Sequence, residues 1–311
     1  MRASAPNALI EAYSQVSLAN HRSFEKLAVV LTQFRARGID FLLLKGADIL
    51  PRLYGVWGAR SLTDIDLLVR EKDLPAVDRV VRELGYLPDI DGNPAYHHPD
   101  HSLLLDLVTE IWYEDDTEEI WRRAVQRDLA GLPVRGMGAD DLLTYLTVYS
   151  VLHRGYFVPS FPKDVALLVR REPLNWGFIV DEAIRRNLKI PLHHGLSYAA
   201  GHESIPIPDH VFASLAPTHG SEKALQFVLR KLVTDEAVRD VGHFLLLVSL
   251  PAGKSWRRVR QALWPSPTFL RWRYGEESET KPHRTRLFRA VRLSWKSLIL
   301  LGQILKRFLR R

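Results

Sequence analysis

The sequence predicts an α+β fold: a small mixed β-sheet with flanking helices, followed by a mostly α-helical region and a basic amphipathic helix at the C-terminus. Three observations predict it. Apolar runs of strand length, bounded by Gly, Pro and Asp, recur over residues 39–110. From about Glu118 onward, apolar residues recur every three or four positions, the spacing of one helix face. Residues 281–311 hold ten Lys or Arg and no Asp or Glu, again with apolar residues at helical spacing.

Taken in order, residues 8–37 read as one or two helices, with Leu27, Val30, Leu31 and Phe34 at helical spacing and Gly38 as the stop. Residues 39–44 are a buried strand, and Lys45-Gly46 follows as a basic turn. A helix over about residues 49–57 is expected next. Asp48 would cap it, and Pro51 would fall in its first turn, where the missing N–H costs nothing. Ser61-Leu62-Thr63-Asp64-Ile65-Asp66-Leu67-Leu68-Val69 is a strand in which two carboxylates interrupt an apolar run. Residues 73–84 place Leu74, Val77, Val80, Val81 and Leu84 on one helical face that should pack on the sheet. Residues 86–88 add a short strand and 89–93 a turn, and 96–110 form one or two strands interrupted at Pro99. Beyond Glu118, helices are expected over 140–152, 163–171, 176–186 and 192–200. The boundary falls near 131–138, a segment with three Gly and one Pro, which divides the chain into domains 1–130 and 139–280 and the helix 281–311.

Side chains in a strand alternate faces, so Asp64 and Asp66 project from one side while Ile65 and Leu67 turn inward. Alone, that pattern also fits an edge strand with an acidic exposed face. Two neighbours extend it. Ser102-Leu103-Leu104-Leu105-Asp106-Leu107-Val108 is a second strand carrying one carboxylate, and Lys45-Gly46 lies between a strand and a helix start. Gly46 admits close backbone approach, Lys45 brings a point charge, and a first helical turn offers amide donors, which together suit a phosphate. Hard cations take oxygen ligands, commonly one or two carboxylates plus substrate phosphates. Three carboxylates beside such a seat are what a two-metal phosphoryl or nucleotidyl transfer requires.

These residues resemble the polymerase-β-like nucleotidyltransferase superfamily and, within it, the uncharacterised bacterial nucleotidyltransferase family with a Lys-Gly first motif. The resemblance runs through Leu44-Lys45-Gly46-Ala47, Leu53-Tyr54, Arg60 and Thr63-Asp64-Ile65-Asp66-Leu67-Leu68-Val69. His153, Asp164-Val165-Ala166-Leu167-Leu168, Asn175-Trp176, Pro265-Ser266-Pro267-Thr268-Phe269-Leu270-Arg271 and Tyr274-Gly275 are similar to later landmarks. Common members of the superfamily carry Gly-Ser with the paired carboxylates about a dozen residues on, whereas here Gly46 precedes Asp64 by eighteen positions. Relatives with Lys-Gly often have a His two positions after the third carboxylate, where this chain has Val108.

The resemblance implies a catalytic domain in which Asp64, Asp66 and Asp106 hold Mg2+, or Mn2+ in its place, and Lys45, Gly46 and Arg60 bind the triphosphate of an NTP. An unidentified hydroxyl or phosphate acceptor would receive the NMP group. Arg60 could equally cap a surface turn. His153 could reach nucleotide or acceptor, or satisfy the carbonyls ending its helix, and Asp164 could stand behind the ligands or oppose the dipole of its helix start. The alternatives kept are a catalytically degenerate nucleotide-binding or membrane-associated partner of a biosynthetic complex, and a metal-dependent phosphohydrolase.

Composition narrows the field. There is no Cys, which excludes disulfides and thiolate zinc sites. His97, His98 and His101 bracket Pro99 without helical spacing, so a surface turn is preferred to zinc. No run approaches the roughly 20 apolar residues that cross a bilayer, and the first residues lack a signal-peptide core, so a cytoplasmic protein is expected. The net charge of +7 resides in the tail; residues 1–280 carry −3, which argues against a nucleic-acid partner. Residues 284–311 either dock on the anionic inner face of a membrane, where each basic residue contributes about 1 kcal/mol, or pack their apolar stripe on the helical domain.

Overall fold

A computed structural model describes residues 5–90, 94–114, 116–238, 241–249 and 282–309, with 256, 259, 260, 263–265, 267 and 270. Residues 91–93 of the expected turn, and Ser266, Thr268, Phe269, Arg271, Tyr274 and Gly275 of the later landmarks, lie outside them. The fold is α+β, and the described residues divide into two compact units, one running through Gly138 and the other beginning at Ala139.

The first unit opens with a single long helix, α1 (Ala5–Ala36), where one or two were expected. Its strands are β1 (Phe41–Leu43), β2 (Ile65–Val69), β3 (Leu87–Ile90), β4 (Pro94–His98), β5 (His101–Val108), β6 (Val125–Leu129) and β7 (Leu132–Gly136). They form one mixed sheet in the order β3-β4-β5-β2-β1-β7-β6. β2 runs antiparallel to β1 and parallel to β5. Residues of odd number in the central strands, Leu43, Ile65, Leu67, Leu105 and Leu107 among them, point to one face. There they join Phe24, Leu27, Leu31 and Phe34 of α1 and Val77, Val80 and Val81 of α3 (Leu74–Glu83) in a continuous core. Alternation therefore sends Asp66 and Asp106 to the other face.

Two local expectations are corrected. The helix after β1 begins at Lys45, not after Asp48: α2 spans Lys45–Ile49 and continues as a π-helical turn, Leu50–Tyr54. Pro51 has no N–H to donate to the ladder, and a wider turn accommodates that loss. Asp48 is no cap. It is 1 % exposed and accepts hydrogen bonds from Arg52, at 3.2 and 2.9 Å, and from Arg127 at 3.4 Å. Burial holds its carboxyl above the ordinary carboxylate range, and the two guanidinium groups pull against that shift. The second correction is the hairpin β6–β7, which occupies residues expected to be helix and linker after α4 (Glu118–Arg123). Its two-residue turn places Ala130 and Gly131 at φ 51° and 85°, the left-handed pair that matches strand twist.

The second unit is helical among the described residues. It comprises α5 (Ala139–Val148), α6 (Phe161–Arg171), α7 (Trp176–Arg185), α8 (Lys189–His202), α9 (Asp209–Leu215), α10 (Gly220–Leu232), α11 (Val241–Ser249) and α12 (Pro282–Leu309). α5 continues into a π-helical turn, Tyr149–Arg154, closed by Gly155 in the left-handed conformation. Residues 284–311 were expected to dock on a membrane or to pack their stripe on the helices. In α12 no residue is buried, and its apolar residues from Leu287 to Leu309 are largely exposed. No helix of the described residues is long and apolar enough to cross a membrane.

Candidate active site

The parallel pairing of β2 and β5 sets the register that defines the site: Asp66 lies directly opposite Asp106. Opposed residues in a ladder carry their side chains on the same face, roughly 5 Å apart at Cβ. Asp64, one residue before β2, shares that face by alternation. Asp66 is buried, and Asp64 and Asp106 are half-buried. One carboxylate oxygen from each of Asp64, Asp66 and Asp106 lies within 4.8 Å of the others, and among the described residues these three alone make such a cluster. Two oxygens bound to one Mg2+ at about 2.1 Å can be at most about 4.2 Å apart. Small side-chain rotations would therefore bring all three within reach of one or two cations. The donor set is all oxygen, as a hard cation prefers. Thr63 fixes the outermost carboxylate by donating its hydroxyl to Asp64 Oδ1 at 3.0 Å.

Lys45 stands beside this cluster. Leu44 N–H donates to Asp66 O at 3.1 Å, extending the β1–β2 ladder, and the chain then turns at Lys45 into α2. Lys45 takes φ 45°, a left-handed conformation that costs a non-glycine residue about 1 kcal/mol or more. The turn carries its ammonium back over the sheet, where Nζ donates to Asp66 Oδ1 at 2.6 Å. Both side chains are nearly covered, at 12 % and 4 % exposure. The first-motif lysine thus faces a candidate metal ligand rather than open solvent.

Gly46 and Arg60 meet next to it. A β carbon on Gly46 would lie 2.5 Å from an Arg60 guanidinium nitrogen and 2.4 Å from a Leu62 methyl, so the absence of a side chain is what lets Arg60 lie over the start of α2. Arg60 belongs to the loop between the 3-10 turn Trp57–Ala59 and β2, and Asn20 of α1 anchors that loop. Asn20 is 2 % exposed; its amide donates to Trp57 O at 2.6 Å and to Arg60 O at 2.7 Å, and its carbonyl accepts from Leu62 N–H at 3.3 Å. Trp57 packs against His21 and Phe24 of the same helix, each with ring centroids 4.8 Å apart.

Lys45, Gly46, Arg60, Asp64, Asp66 and Asp106 are thereby gathered in the first unit. His153 and Asp164 belong to the second. His153 is exposed and stacks on Tyr149 with centroids 4.6 Å apart. Asp164 is 3 % exposed in the first turn of α6, where Ser160 donates to it at 3.5 Å. His98 and His101 stack on each other at 4.1 Å and meet the edge of Tyr86. Burial pushes the Tyr86 hydroxyl up to about 12. The roles of Asn20 and Thr63 were not read from the sequence. Asn20 carried a legible signal, an amide in register with Phe24, Leu27 and Leu31 on an otherwise apolar helix stripe.

Comparison with known proteins gives the family of the chain. Residues 2–202, well over half of the chain, match the model of a family described as uncharacterised nucleotidyltransferase. No curated protein matches. Three solved structures are similar, each with a TM-score of 0.41. The solution structure of the antibiotic-resistance factor ANT(2'')-Ia is 17% identical, covering 59% of this chain and 100% of that one. A crystal structure of ANT(2'')-Ia in complex with adenylyl-2''-tobramycin is 16% identical, covering 52% and 95%. An antigenic nucleotidyltransferase-like protein from Paracoccidioides brasiliensis is 12% identical, covering 63% and 93%. On the strength of the family match, this chain belongs to the uncharacterised nucleotidyltransferase family.

Proposed function

We propose that this chain transfers a nucleoside monophosphate from an NTP to a hydroxyl or phosphate acceptor, with Mg2+ held by Asp64, Asp66 and Asp106. The observation that carries the proposal is the convergence of these three carboxylates within 4.8 Å, from two strands that pair Asp66 with Asp106. Asp64 and Asp66 would bind two cations, and Asp106 would hold the second. Bound there, Mg2+ would neutralise the triphosphate and lower the pKa of the attacking hydroxyl.

The protein's own part is positioning and charge. Arg60 would grip a triphosphate oxygen with its planar fork, beside the backbone of Gly46. Lys45, which donates to Asp66, would give its ammonium to a phosphate oxygen once an NTP is bound. Asp106 would orient the acceptor hydroxyl as its oxygen bonds the α-phosphorus; the bond to the pyrophosphate oxygen breaks, and the hydroxyl proton passes to solvent. Such transfers depend on alignment and charge neutralisation rather than on a covalent protein intermediate. A peripheral membrane contact through residues 284–311 would have no part in this chemistry.

Metal-dependent pyrophosphate release from an NTP, measured for the parent and for Asp64→Asn with Asp66→Asn, tests the reading. Turnover is expected to be abolished in the double variant. Undiminished turnover would remove the mechanism, and release of free nucleoside phosphate without an acceptor would indicate hydrolysis instead.

A further inference from the structure

Helix α12 leaves an apolar arc exposed on its own unit. At about 100° per residue, Leu287, Phe288, Val291, Trp295, Leu298 and Leu305 fall within one arc of about 100°, and each is 54–69 % exposed. The opposite arc, with Arg289, Lys296, Leu300 and Arg307, is half-buried. That side, which also carries half-buried Leu293, Ile304 and Phe308, mounts the helix on its own unit. Arg307 donates to Lys231 O at 3.2 Å and to Thr234 Oγ1 at 2.8 Å and pairs with Glu236, while Phe308 meets Phe227 of α10 with centroids 5.8 Å apart. At the other end Arg286 donates to Pro265 O at 3.1 Å and covers the ring of Trp264, which is itself 61 % exposed. An amphipathic helix that buried its whole apolar surface on its own core would leave no such arc exposed. A contiguous apolar surface left outward in this way marks an interaction site.

We infer that α12 is a docking surface for an anionic phospholipid bilayer, its apolar arc entering the interfacial layer while exposed Arg284, Arg292 and Lys306 meet lipid phosphates. Charge selects this occupant. A second copy laid against the same face would bring together two segments that each hold ten Lys or Arg and no acidic residue over 281–311. Lipid phosphates supply the missing counter-charge. A nucleic acid would satisfy the charges but leave the apolar arc in water. Trp295 and Trp264 are the residue type that settles at a headgroup boundary. Since no described helix can cross a membrane, the contact lies in the plane of the interface.

Co-sedimentation of the 311-residue chain with lipid vesicles tests this. Vesicles of phosphatidylcholine mixed with phosphatidylglycerol should bind it, vesicles of phosphatidylcholine alone should not, and raising salt should weaken binding about ten-fold. Leu298→Ser with Leu305→Ser should reduce binding about ten-fold while melting temperature and NTP turnover stay unchanged. Failure to bind the anionic vesicles, or equal binding by parent and variant, would overturn the inference. So would a concentration-dependent dimer in sedimentation velocity that the double substitution abolishes, because the occupant would then be a second copy.

Discussion

Lys45 Nζ donates a 2.6 Å hydrogen bond to Asp66 Oδ1, and this contact joins the first motif to the carboxylate cluster. An ammonium and a divalent cation compete for the same oxygen. Replacing Lys45 by Met should therefore tighten Mn2+ binding in the absence of nucleotide by about three- to ten-fold, as read by calorimetry. The same variant should lose about a hundred-fold or more in NTP turnover, because the donor proposed for the transferring phosphates is gone. Weaker metal binding in Lys45→Met would show that the lysine supports the metal site rather than opposing it.

Gly46→Ala isolates the seat of Arg60. The atoms nearest the added methyl are side-chain ends, those of Leu62 and Arg60, so the fold can yield at small cost. The guanidinium must move, and KM for the NTP should rise about ten-fold with kcat less affected, the loss expected for one charged contact of about 1.4 kcal/mol. An unchanged KM would take Arg60 out of nucleotide binding.

Asn20 holds the same loop from behind. Asn20→Ala leaves two backbone carbonyls and one N–H without their side-chain partner, which should cost about 2 kcal/mol or more in denaturant unfolding. At a temperature where the variant is fully folded, KM for the NTP should still rise, since the loop carrying Arg60 is released. A stability loss without any change in KM would make Asn20 a structural residue only.

Stability of the helical unit should depend on pH through His194. Burial, with Arg230 and His193 adding smaller effects, lowers its pKa from 6.5 to about 4, opposed in part by the hydrogen bond to Val233 O. His193 beside it is lowered in the same direction. The folded state favours the neutral ring, so this contribution is complete above about pH 6.5 and is lost as pH falls through about 4. Melting temperature should fall across that window, and His194→Gln should flatten the fall. A variant profile parallel to that of the parent would assign the pH dependence to other groups.

Much of the fold was legible because it follows local rules. The stripe of Leu27, Val30, Leu31 and Phe34 identified α1, and Asp-x-Asp in an apolar run identified β2 with the face its carboxylates share. Other features depended on tertiary context. Asp48 has the chemistry of an N-cap, yet Arg127 from a strand seventy-nine residues away draws it into the interior. The hairpin β6–β7 is short and half-exposed, with Pro133 in its second strand, so no alternating apolar pattern announced it. The pairing of Asp66 with Asp106 is a long-range register, and the left-handed turn at Lys45 is set by the ladder that ends at Leu44. Neither has a local sequence signature.

The most direct test of the central claim is divalent-metal binding and NTP turnover measured together in Asp106→Asn. The residue half-buried opposite Asp66 should, when its charge is removed, weaken Mn2+ binding about ten-fold or more and reduce pyrophosphate release about a hundred-fold or more, with the melting temperature little changed. Parental metal affinity and turnover in Asp106→Asn would contradict a site built from three carboxylates.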